Sequence, residues 1–355
     1  MNKFKKKKLL YKFTLLIILL LILLFNKFGI TKKVKKIGVI GLRHEINIGN
    51  NLLKYAIFVK LSELGFKPYI IGTLWNNYDI SFLKNYTNCI IINNSFNEIK
   101  KDEYDFLMVN SDQTWRKFDE HFYDYGFLKF AENWTTPKFI YGASLGYSKW
   151  NFTNGETSII KQLLQNFTGI SVREKGAVDL INKHLQIKPL FVLDPTLLID
   201  KKYYLNLISN YKRTPNEKYI FVYIFHNEKN TINFIKYASE QLSYKIVTAK
   251  IGEKNVIKNF IYGIVNCKAV ITNSFHGTIF SIMFNKPFIS FIFKNSPKER
   301  LMSLKSAFNI KNRIFEYDQF PDINLLKTPL NINYTLINLL KNQSIEYLKK
   351  NLGII

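Results

Sequence analysis

Along most of the chain, short apolar runs rich in β-branched residues alternate with longer segments whose apolar residues recur at helical spacing. The pattern begins with an apolar run over residues 37–42 (IGVIGL), a helical segment over 50–64 and a second apolar run over 69–72. Strands that alternate with helices form parallel sheets, because each helix returns the chain to the same edge. The pattern therefore predicts an α/β fold with a doubly wound, Rossmann-like sheet.

The alternation is interrupted over residues 201–217, and a second strand–helix series starts at residue 219. We therefore predict two Rossmann-like domains joined by a linker, with the carboxyl edges of their sheets facing a common cleft. The predicted organisation is a basic tail and membrane anchor over 1–35, an N-terminal domain over 36–200, a linker over 201–217, a C-terminal domain over 218–310, and an extension over 311–355 whose final helix covers 334–351.

The first thirty residues have a different character from the rest. A lysine cluster precedes an apolar stretch over residues 9–30, which is long enough to span a bilayer as one helix. The large residues Asn26, Lys27 and Phe28 do not suit signal peptidase, so a retained anchor is favoured over a cleaved signal or a buried helix. Lysines flank the stretch on both sides with a small excess on the amino side, so a lumenal catalytic domain is only slightly favoured and the side stays open.

The net charge has two sources. The chain contains 51 Lys and Arg residues against 26 Asp and Glu residues, giving a formal charge of +25. Eleven lysines lie within residues 1–36, and the others are scattered rather than grouped with aromatic residues, so nucleic acid binding is not indicated. Anionic substrates or a membrane surface explain the charge at least as well. With two cysteines and five dispersed histidines, no metal site is predicted.

The turn after the first predicted strand, over residues 43–50, lacks the three-glycine fingerprint of dinucleotide-binding folds. A bound NAD is therefore not indicated. Asn47, Gly49 and Asn50 are typical of a tight turn that brings backbone N–H groups to a ligand, and an ordinary capped turn is an equal alternative.

Residues 269–293 (AVITNSFHGTIFSIMFNKPFISFIF) predict a strand, a turn, a helix and a second strand, with His276 at the turn. A helix amino terminus at the carboxyl end of a parallel strand suits a phosphate or carboxylate. His276 is therefore either a histidine at an anion site or a first-turn residue of a helix that Ser274 caps.

Other predicted strands also end in polar residues. The strand over 106–110 is followed by SDQTW (111–115), and the strand over 139–143 by SLG (144–146). The strand over 169–172 is followed by Arg173, whose guanidinium could bind phosphate or carboxylate, or form a salt bridge with Glu174 or another acid. Asp194 is interpreted as the cap of residues 196–198.

These turns together resemble the polysaccharide pyruvyl transferase family over residues 36–305. The resemblance rests on seven segments in series, which are IGVIGL…NIGNNLLKYAI, FLMVNSDQTW, FIYGASLG, ISVREKGAVDLI, VLDPTLLI, ITNSFHGTIFSIMFNKPFI and SPKERLMSL. The family implies two Rossmann-like domains in a glycosyltransferase-B-like arrangement. Asn110 is a departure, because many relatives have Gly before Ser-Asp-Gln.

The resemblance implies transfer of pyruvate from phosphoenolpyruvate onto two hydroxyls of one glycan sugar as a cyclic ketal, without a metal or nucleotide cofactor. Family residues implicated in donor binding and chemistry correspond to Arg173 and His276, with His276 either the general acid or a phosphate ligand. A family lysine corresponds to Lys298, and Lys294 and Arg300 lie close enough to blur that assignment. The helix amino terminus around Ser274, Gly277 and Thr278 is expected to add donor contacts.

Acceptor contacts are expected from the first domain, from Asn47, Asn50, Ser111, Asp112, Gln113 and Trp115. Two other functions remain open at this point. One is a glycosyltransferase that uses a nucleotide sugar on the same fold. The other is a non-catalytic, membrane-tethered glycan-binding protein, whose glycan binding would survive alanine at both Arg173 and His276.

Overall fold

Twelve strands in two parallel sheets organise the part of the chain that the computed structural model describes, which is residues 33–42, 47–73, 80–92, 95–211, 217–250, 252–294, 296 and 298–355. Residues 35–355 form one compact unit. The predicted anchor over 9–30 lies outside the described residues. Within the described residues, no helix combines the length and the apolar character needed to cross a bilayer.

The first sheet has seven parallel strands in the order β3-β2-β1-β4-β5-β6-β7. Its strands are β1 (Lys36–Ile40), β2 (Lys67–Thr73), β3 (Cys89–Ile92), β4 (Phe106–Val109), β5 (Lys138–Ala143), β6 (Phe167–Val172) and β7 (Leu190–Phe191). The helices are α1 (Ile48–Glu63), α2 (Ser81–Tyr86), α3 (Phe122–Phe127), α4 (Asn154–Leu164), α5 (Lys175–Leu185) and α6 (Lys201–Leu207). The strand order reverses between β1 and β4, and ligands of doubly wound sheets bind at such a reversal.

The second sheet has five parallel strands in the order β12-β11-β10-β8-β9. Its strands are β8 (Tyr219–Tyr223), β9 (Lys245–Thr248), β10 (Ala269–Thr272), β11 (Phe288–Ile292) and β12 (Ile314–Glu316). The helices are α7 (Lys229–Leu242), α8 (Val256–Asn266), α9 (Phe275–Met283), α10 (Glu299–Ala307) and α11 (Tyr334–Asn351). Here the order reverses between β8 and β10, so residues after these two strands are placed to bind a ligand.

The strands are apolar because both faces of each sheet are covered by helices. All residues of β4 (FLMV), β8 (YIFVY) and β11 (FISFI) are buried. Central strands of parallel sheets have such continuous apolar runs, whereas a strand with one solvated face would alternate. The prediction of an α/β protein with parallel sheets is confirmed.

The carboxyl-terminal helix α11 packs on the first sheet, although it follows the second sheet in sequence. Ser344 Oγ accepts a hydrogen bond from the Leu193 amide at 2.9 Å, and the Tyr347 hydroxyl donates to the Ile140 carbonyl at 2.7 Å. Thr168 Oγ1 donates to Asn351 Oδ1 at 2.9 Å. The bounds of α11 are those expected from the sequence, and its polar contacts attach the end of the chain to β5 and β6.

Two elements differ from the sequence-based expectation. Helix α6 lies within the segment expected to be a linker, because Asp200 caps it and Tyr204 and Leu207 are buried on one face. Strand β12 extends the second sheet beyond residue 310, since Ile314 and Phe315 pair with β11. The division into domains over 36–200 and 218–310 stays a prediction.

Candidate active site

Helix α9 begins directly after β10, and its first turn is closed by side chains of the turn itself. Ser274 Oγ accepts a hydrogen bond from the Gly277 amide at 3.2 Å. The Thr278 amide donates to the Ser274 carbonyl at 3.0 Å, and Thr278 Oγ1 donates to the same carbonyl at 3.0 Å. The expected donor contacts of Gly277 and Thr278 are not supported by this geometry, because their N–H groups already have partners inside the helix.

The His276 ring is buried and lies against the first turn of α1. A Cβ added to Gly49 would lie 2.0 Å from His276 Nδ1, so only glycine lets the two helices approach this closely. Asn47 caps α1 by accepting a hydrogen bond from the Asn50 amide at 3.1 Å. The turn is therefore capped, as in one of the two sequence-based alternatives, and it also contacts the candidate catalytic histidine.

Asp194 joins His276 to Arg173. Its Oδ2 lies 3.7 Å from His276 Nε2 and accepts a hydrogen bond from Arg173 Nη1 at 2.7 Å. Its Oδ1 accepts from the Thr196 amide at 3.0 Å, which is the expected cap. Burial raises the pKa of Asp194, but the nearby His276 ring, the charge of Arg173 and the hydrogen bond from Thr196 outweigh it and hold the pKa well below its usual range. Asp194 is therefore an ionised partner of both groups.

Arg173 is fully buried between two carboxylates. Its Nη2 donates to Asp112 Oδ1 at 2.8 Å, and its guanidinium carbon lies 4.9 Å from the centroid of the Phe275 ring. Burial lowers the pKa of Arg173, but the charges of Asp112 and Asp194 raise it by more, so the net shift of the pKa is upward. The salt-bridge alternative for Arg173 therefore describes the structure, with Asp112 and Asp194 as the main partners and Glu174 farther away, at 3.8 Å from Nε.

Asp112 completes the network on the side of the first sheet. Its Oδ2 accepts a hydrogen bond from Asn50 Nδ2 at 2.8 Å. Its backbone φ is +105°, a conformation that residues other than glycine adopt only at a cost of about 1–3 kcal/mol. Burial raises the pKa of Asp112, but Arg173, His276 and Asn50 hold it below its usual value. The strained backbone thus places an ionised carboxylate between Asn50 and Arg173.

A cavity of about 440 Å³ opens beside this network, where the strand-order reversals of the two sheets meet. One wall is formed by residues that come after β1 and β4 in the sequence, and the other by residues that come after β8, β10 and β11. The described residues that line it are Leu42, Asn47, Asp112, Gln113, Arg116, Phe118, Phe225, His226, Asn273, Ser274, Phe275, His276, Phe293 and Arg300. They do not include Arg173, which lies behind Phe275. The candidate active site therefore has His276 at its surface and Arg173 as its support.

Arg300 is a partly buried cation on the cavity wall. Its guanidinium carbon lies 5.5 Å from the Phe275 ring centroid, and its Nε is buried without a hydrogen-bond partner. Burial and the charge of Arg173 lower the pKa of Arg300 to about 10. Among the described residues, no ion pair within 4 Å satisfies this guanidinium, so an anion in the cavity would do so.

Lys298 is placed differently from the expectation. Its side chain is exposed and forms an ion pair with Glu316 at 2.8 Å, and it is not among the described residues that line the cavity. Lys294 is also exposed. Of the three cations that the sequence left open, Arg300 is the one at the cavity, because the first turn of α10 directs it toward Phe275.

The expected acceptor residues fall into two groups. Asn47, Asp112 and Gln113 line the cavity. The others lie behind its wall: Asn50 is bonded to Asp112, Ser111 Oγ donates to the Gly142 carbonyl at 2.8 Å, and the Trp115 indole is 1% exposed and donates to the Gly126 carbonyl. Asn50, Ser111 and Trp115 are buried and are not among the described residues that line the cavity, so direct acceptor contact by them stays a prediction.

Several cavity residues were missed by the sequence analysis. They are Arg116, Phe118, Phe225, His226, Asn273 and Phe293. Phe225, His226, Asn273 and Phe293 lie within three residues of a strand's carboxyl end, and Arg116 and Phe118 lie in the loop that follows β4, so their position after β4, β8, β10 and β11 was the available signal. Within the described residues, no group of three or more His, Cys, Asp or Glu side chains could hold a metal ion.

Comparison with known proteins gives a family and a fold. The family model for polysaccharide pyruvyl transferases matches residues 47–295. No curated protein matches the sequence. Among solved structures, the chain is similar to UDP-GlcNAc 2-epimerase from Neisseria meningitidis bound to UDP-GlcNAc, with a TM-score of 0.55 and 10% identity over 89% of this chain and 100% of that chain.

Two further solved structures have similar folds. A UDP-N-acetylglucosamine 2-epimerase gives a TM-score of 0.56 at 9% identity, over 91% of this chain and 97% of that chain. S. aureus MnaA in complex with UDP gives a TM-score of 0.52 at 11% identity, over 91% of this chain and 98% of that chain. At these identities the similarity shows the fold alone, which is α/β with glycosyltransferase-B-like neighbours.

Proposed function

Because the chain belongs to the polysaccharide pyruvyl transferase family and is a transferase, we propose that it transfers pyruvate from phosphoenolpyruvate to a glycan. The pyruvate is joined to two hydroxyls of one sugar as a cyclic ketal, in the biosynthesis of a polysaccharide or glycoconjugate. Both substrates bind in the cavity between the two sheets.

The observation that carries the choice of donor is Arg300. A guanidinium whose Nε is buried and without a partner favours an anionic ligand that carries a planar carboxylate or a tetrahedral phosphate group. The same cavity presents His276, and phosphoenolpyruvate has two anionic groups on a carbon skeleton of three atoms. A donor of this size fits a cavity of about 440 Å³ together with one sugar ring.

His276 is proposed as the general acid. Protonation of the methylene carbon of phosphoenolpyruvate consumes the electron pair of its C=C bond and leaves the central carbon electrophilic. Imidazolium is suited to this transfer near neutral pH. Asp194 lies 3.7 Å from His276 Nε2 and supplies a carboxylate counter-ion for the protonated ring.

The remaining steps balance without another reactant. One sugar hydroxyl adds to the electrophilic carbon and returns a proton to the His276 imidazole, and the C–O bond to phosphate then breaks with its electron pair leaving on phosphate. The second hydroxyl adds to the same carbon and gives its proton to the departing phosphate, closing the ketal. The products are the pyruvylated glycan and inorganic phosphate.

Arg173 is proposed as a positioning residue in this scheme. Its Nη groups bind Asp112 and Asp194, and through Asp194 it fixes the carboxylate that faces His276. The buried Arg173 also keeps both carboxylates ionised. Without it, Asp112 and Asp194 would repel each other behind the cavity wall.

Membrane attachment through residues 9–30 is also proposed, on the length and apolar character of that stretch. Fractionation of the full chain with and without residues 1–32 tests this, and recovery of both forms in the soluble fraction would refute it.

The experiment that tests the function uses the full chain with phosphoenolpyruvate and a panel of galactose-, glucose- and mannosamine-containing acceptors. Mass spectrometry of the glycan should show a gain equal to pyruvate less water, together with equimolar release of phosphate. His276→Ala should lower both signals by about a hundredfold or more. Transfer from a nucleotide sugar with none from phosphoenolpyruvate would instead support a glycosyltransferase on this fold.

A further inference from the structure

The rim of the cavity on the side of the first sheet carries an arginine between two aromatic side chains. The Arg116 guanidinium carbon lies 5.0 Å from the ring centroids of both Phe118 and Tyr147. Phe118 is 44% exposed and Tyr147 is 36% exposed. Two exposed rings that flank a cation beside a cavity form a surface that can contact the apolar face of a ligand.

Arg116 is held in place by neutral groups. Its Nε donates to the Tyr147 hydroxyl at 3.0 Å, and its Nη1 donates to Gln113 Oε1 at 3.0 Å. Gly146 makes this packing possible: its φ is +65°, and an added Cβ would lie 3.2 Å from Arg116 Cδ. The SLG turn after β5 therefore packs directly against the side chain of Arg116.

The charge of Arg116 is not compensated by any carboxylate within 4 Å among the described residues. Its neighbour Lys117 differs in this respect, because Lys117 pairs with Glu156 at 2.6 Å. A cation that is fixed in direction and faces a cavity without a counter-ion is suited to bind an anionic group of a ligand.

The two arginines of the cavity have different neighbours, although their charges are close enough to interact. Arg300 lies beside Phe275, and its Nε is buried. Arg116 lies at the rim next to exposed rings. A glycan is larger than the cavity, so it must extend through the rim into solvent while only its reacting sugar is inside.

We propose that Arg116, Phe118 and Tyr147 form the acceptor subsite, and that the acceptor sugar bears a negative charge, as a uronic acid or a sugar phosphate does. The inference rests on the proposed function and specifies its acceptor class. The guanidinium binds the carboxylate or phosphate, and the exposed rings contact the apolar face of the pyranose.

Binding of sugars in the absence of donor tests the inference without requiring turnover. The full chain is titrated with methyl glucuronide, glucose 1-phosphate and neutral methyl glucoside, followed by calorimetry or saturation-transfer NMR. A charged sugar should bind about tenfold or more tightly than the neutral one, as expected for a hydrogen bond to a charged group. The two charged probes distinguish a carboxylate from a phosphate as the preferred anion.

Three variants make the test specific. Arg116→Ala should abolish the preference for charged sugars, and Phe118→Ala should lower the affinity for all three sugars to the same extent. Lys117→Ala is the matched control, because it removes an adjacent cation whose partner is Glu156, outside the cavity. It should leave all affinities unchanged.

The inference is overturned by equal affinities for charged and neutral sugars, by a preference that survives in Arg116→Ala, or by no measurable binding of any probe. It is also overturned if Arg116→Ala lowers the affinity for phosphoenolpyruvate and leaves the affinity for the charged sugars unchanged, because Arg116 would then bind the donor. Failure of the proposed function has a different signature, namely no ketal formed from phosphoenolpyruvate on any acceptor.

Discussion

Gly49 and His276 are in direct contact, although Gly49 lies in the first turn of a helix of the first sheet and His276 in the first turn of a helix of the second. A Cβ on Gly49 would lie 2.0 Å from Nδ1 and 2.5 Å from Cγ of the His276 ring. The imidazole therefore stays in position only while the first turn of α1 has no side chain at residue 49. The contact makes the position of the candidate acid depend on both halves of the molecule.

Gly49→Ala should displace His276 and lower turnover by about a hundredfold, the loss expected when a catalytic group moves by about 1 Å. The same substitution in a His276→Ala background should cause no additional loss, because the ring that it displaces is absent. Steady-state rates of the two single variants and the double variant check this. Gly155→Ala in α4 is the control, since nothing lies within 4 Å of its added Cβ. Additive losses would show that residue 49 acts independently of His276.

His276→Gln should lower the turnover number by about a hundredfold or more if the ring is the general acid. The affinity for phosphoenolpyruvate, measured by calorimetry, should then change little. A variant that loses donor affinity while keeping its turnover number at saturation would show instead that His276 binds the phosphate. Thermal unfolding of the variant confirms that the fold is intact.

Arg173→Ala should reduce stability and turnover together, because it leaves Asp112 and Asp194 buried without their shared cation. Breaking a buried ion pair from one side destabilises a protein by about 3–5 kcal/mol. Urea unfolding at neutral pH measures this loss. Arg173→Lys should recover little of it, since one ammonium group cannot reproduce the two Nη hydrogen bonds.

The kinetic signature of a positioning role is a fall in the turnover number of Arg173→Lys with little change in KM for phosphoenolpyruvate. A large rise in this KM at an unchanged turnover number would show that Arg173 contacts the donor directly. The comparison is made with protein that has been shown to be folded at the assay temperature.

The sequence predicted the places from which the site is built but not how the side chains pair there. His276 and Arg173 were found because each follows an apolar run that ends at the carboxyl edge of a sheet. The partners Asp112 and Asp194 are 82 residues apart in number, and only the strand order brings both to Arg173. Pairing between such distant residues leaves no trace in local spacing.

The side chains at strand ends were misjudged where burial decides their role. Trp115 follows a polar cluster, which is typical of an exposed loop, yet its indole packs in the core against Phe127. Lys298 and Arg300 differ by two positions, and the sequence could not choose between them. The first turn of α10 rotates Arg300 toward Phe275 and leaves Lys298 facing Glu316.

Stability should fall steeply in acid because of Asp194. Its pKa in the folded protein lies well below its value of about 4 in the unfolded chain, so it stabilises the fold above that pH. The contribution is lost as the pH falls from the unfolded toward the folded pKa, where the unfolded chain binds the extra proton. Urea unfolding between about pH 2 and 5 should give a shallower slope for Asp194→Asn than for the native chain.

Asp102→Asn is the control for the loss of a carboxylate, because Asp102 is exposed and lies outside the site.

Glu174 should act in the opposite direction, because burial raises the pKa of its carboxyl. A raised pKa lowers stability as the pH increases above the unfolded value, so Glu174→Gln should remove that decline. Identical pH slopes for Asp194→Asn and the native chain would contradict the assignment of Asp194.

Arg300→Gln should weaken the binding of phosphoenolpyruvate by about tenfold or more, because the donor loses a charge-assisted hydrogen bond in the cavity. The guanidinium has a buried Nε without a partner and no carboxylate within ion-pair distance in the described part of the chain. Lys298→Gln is the matched control: it removes a cation two residues away that is exposed and paired with Glu316. Calorimetric titration of both variants with phosphoenolpyruvate should place the loss in Arg300→Gln alone, whereas a loss in Lys298→Gln alone would assign the donor to the lysine and require α10 to rotate when the donor binds.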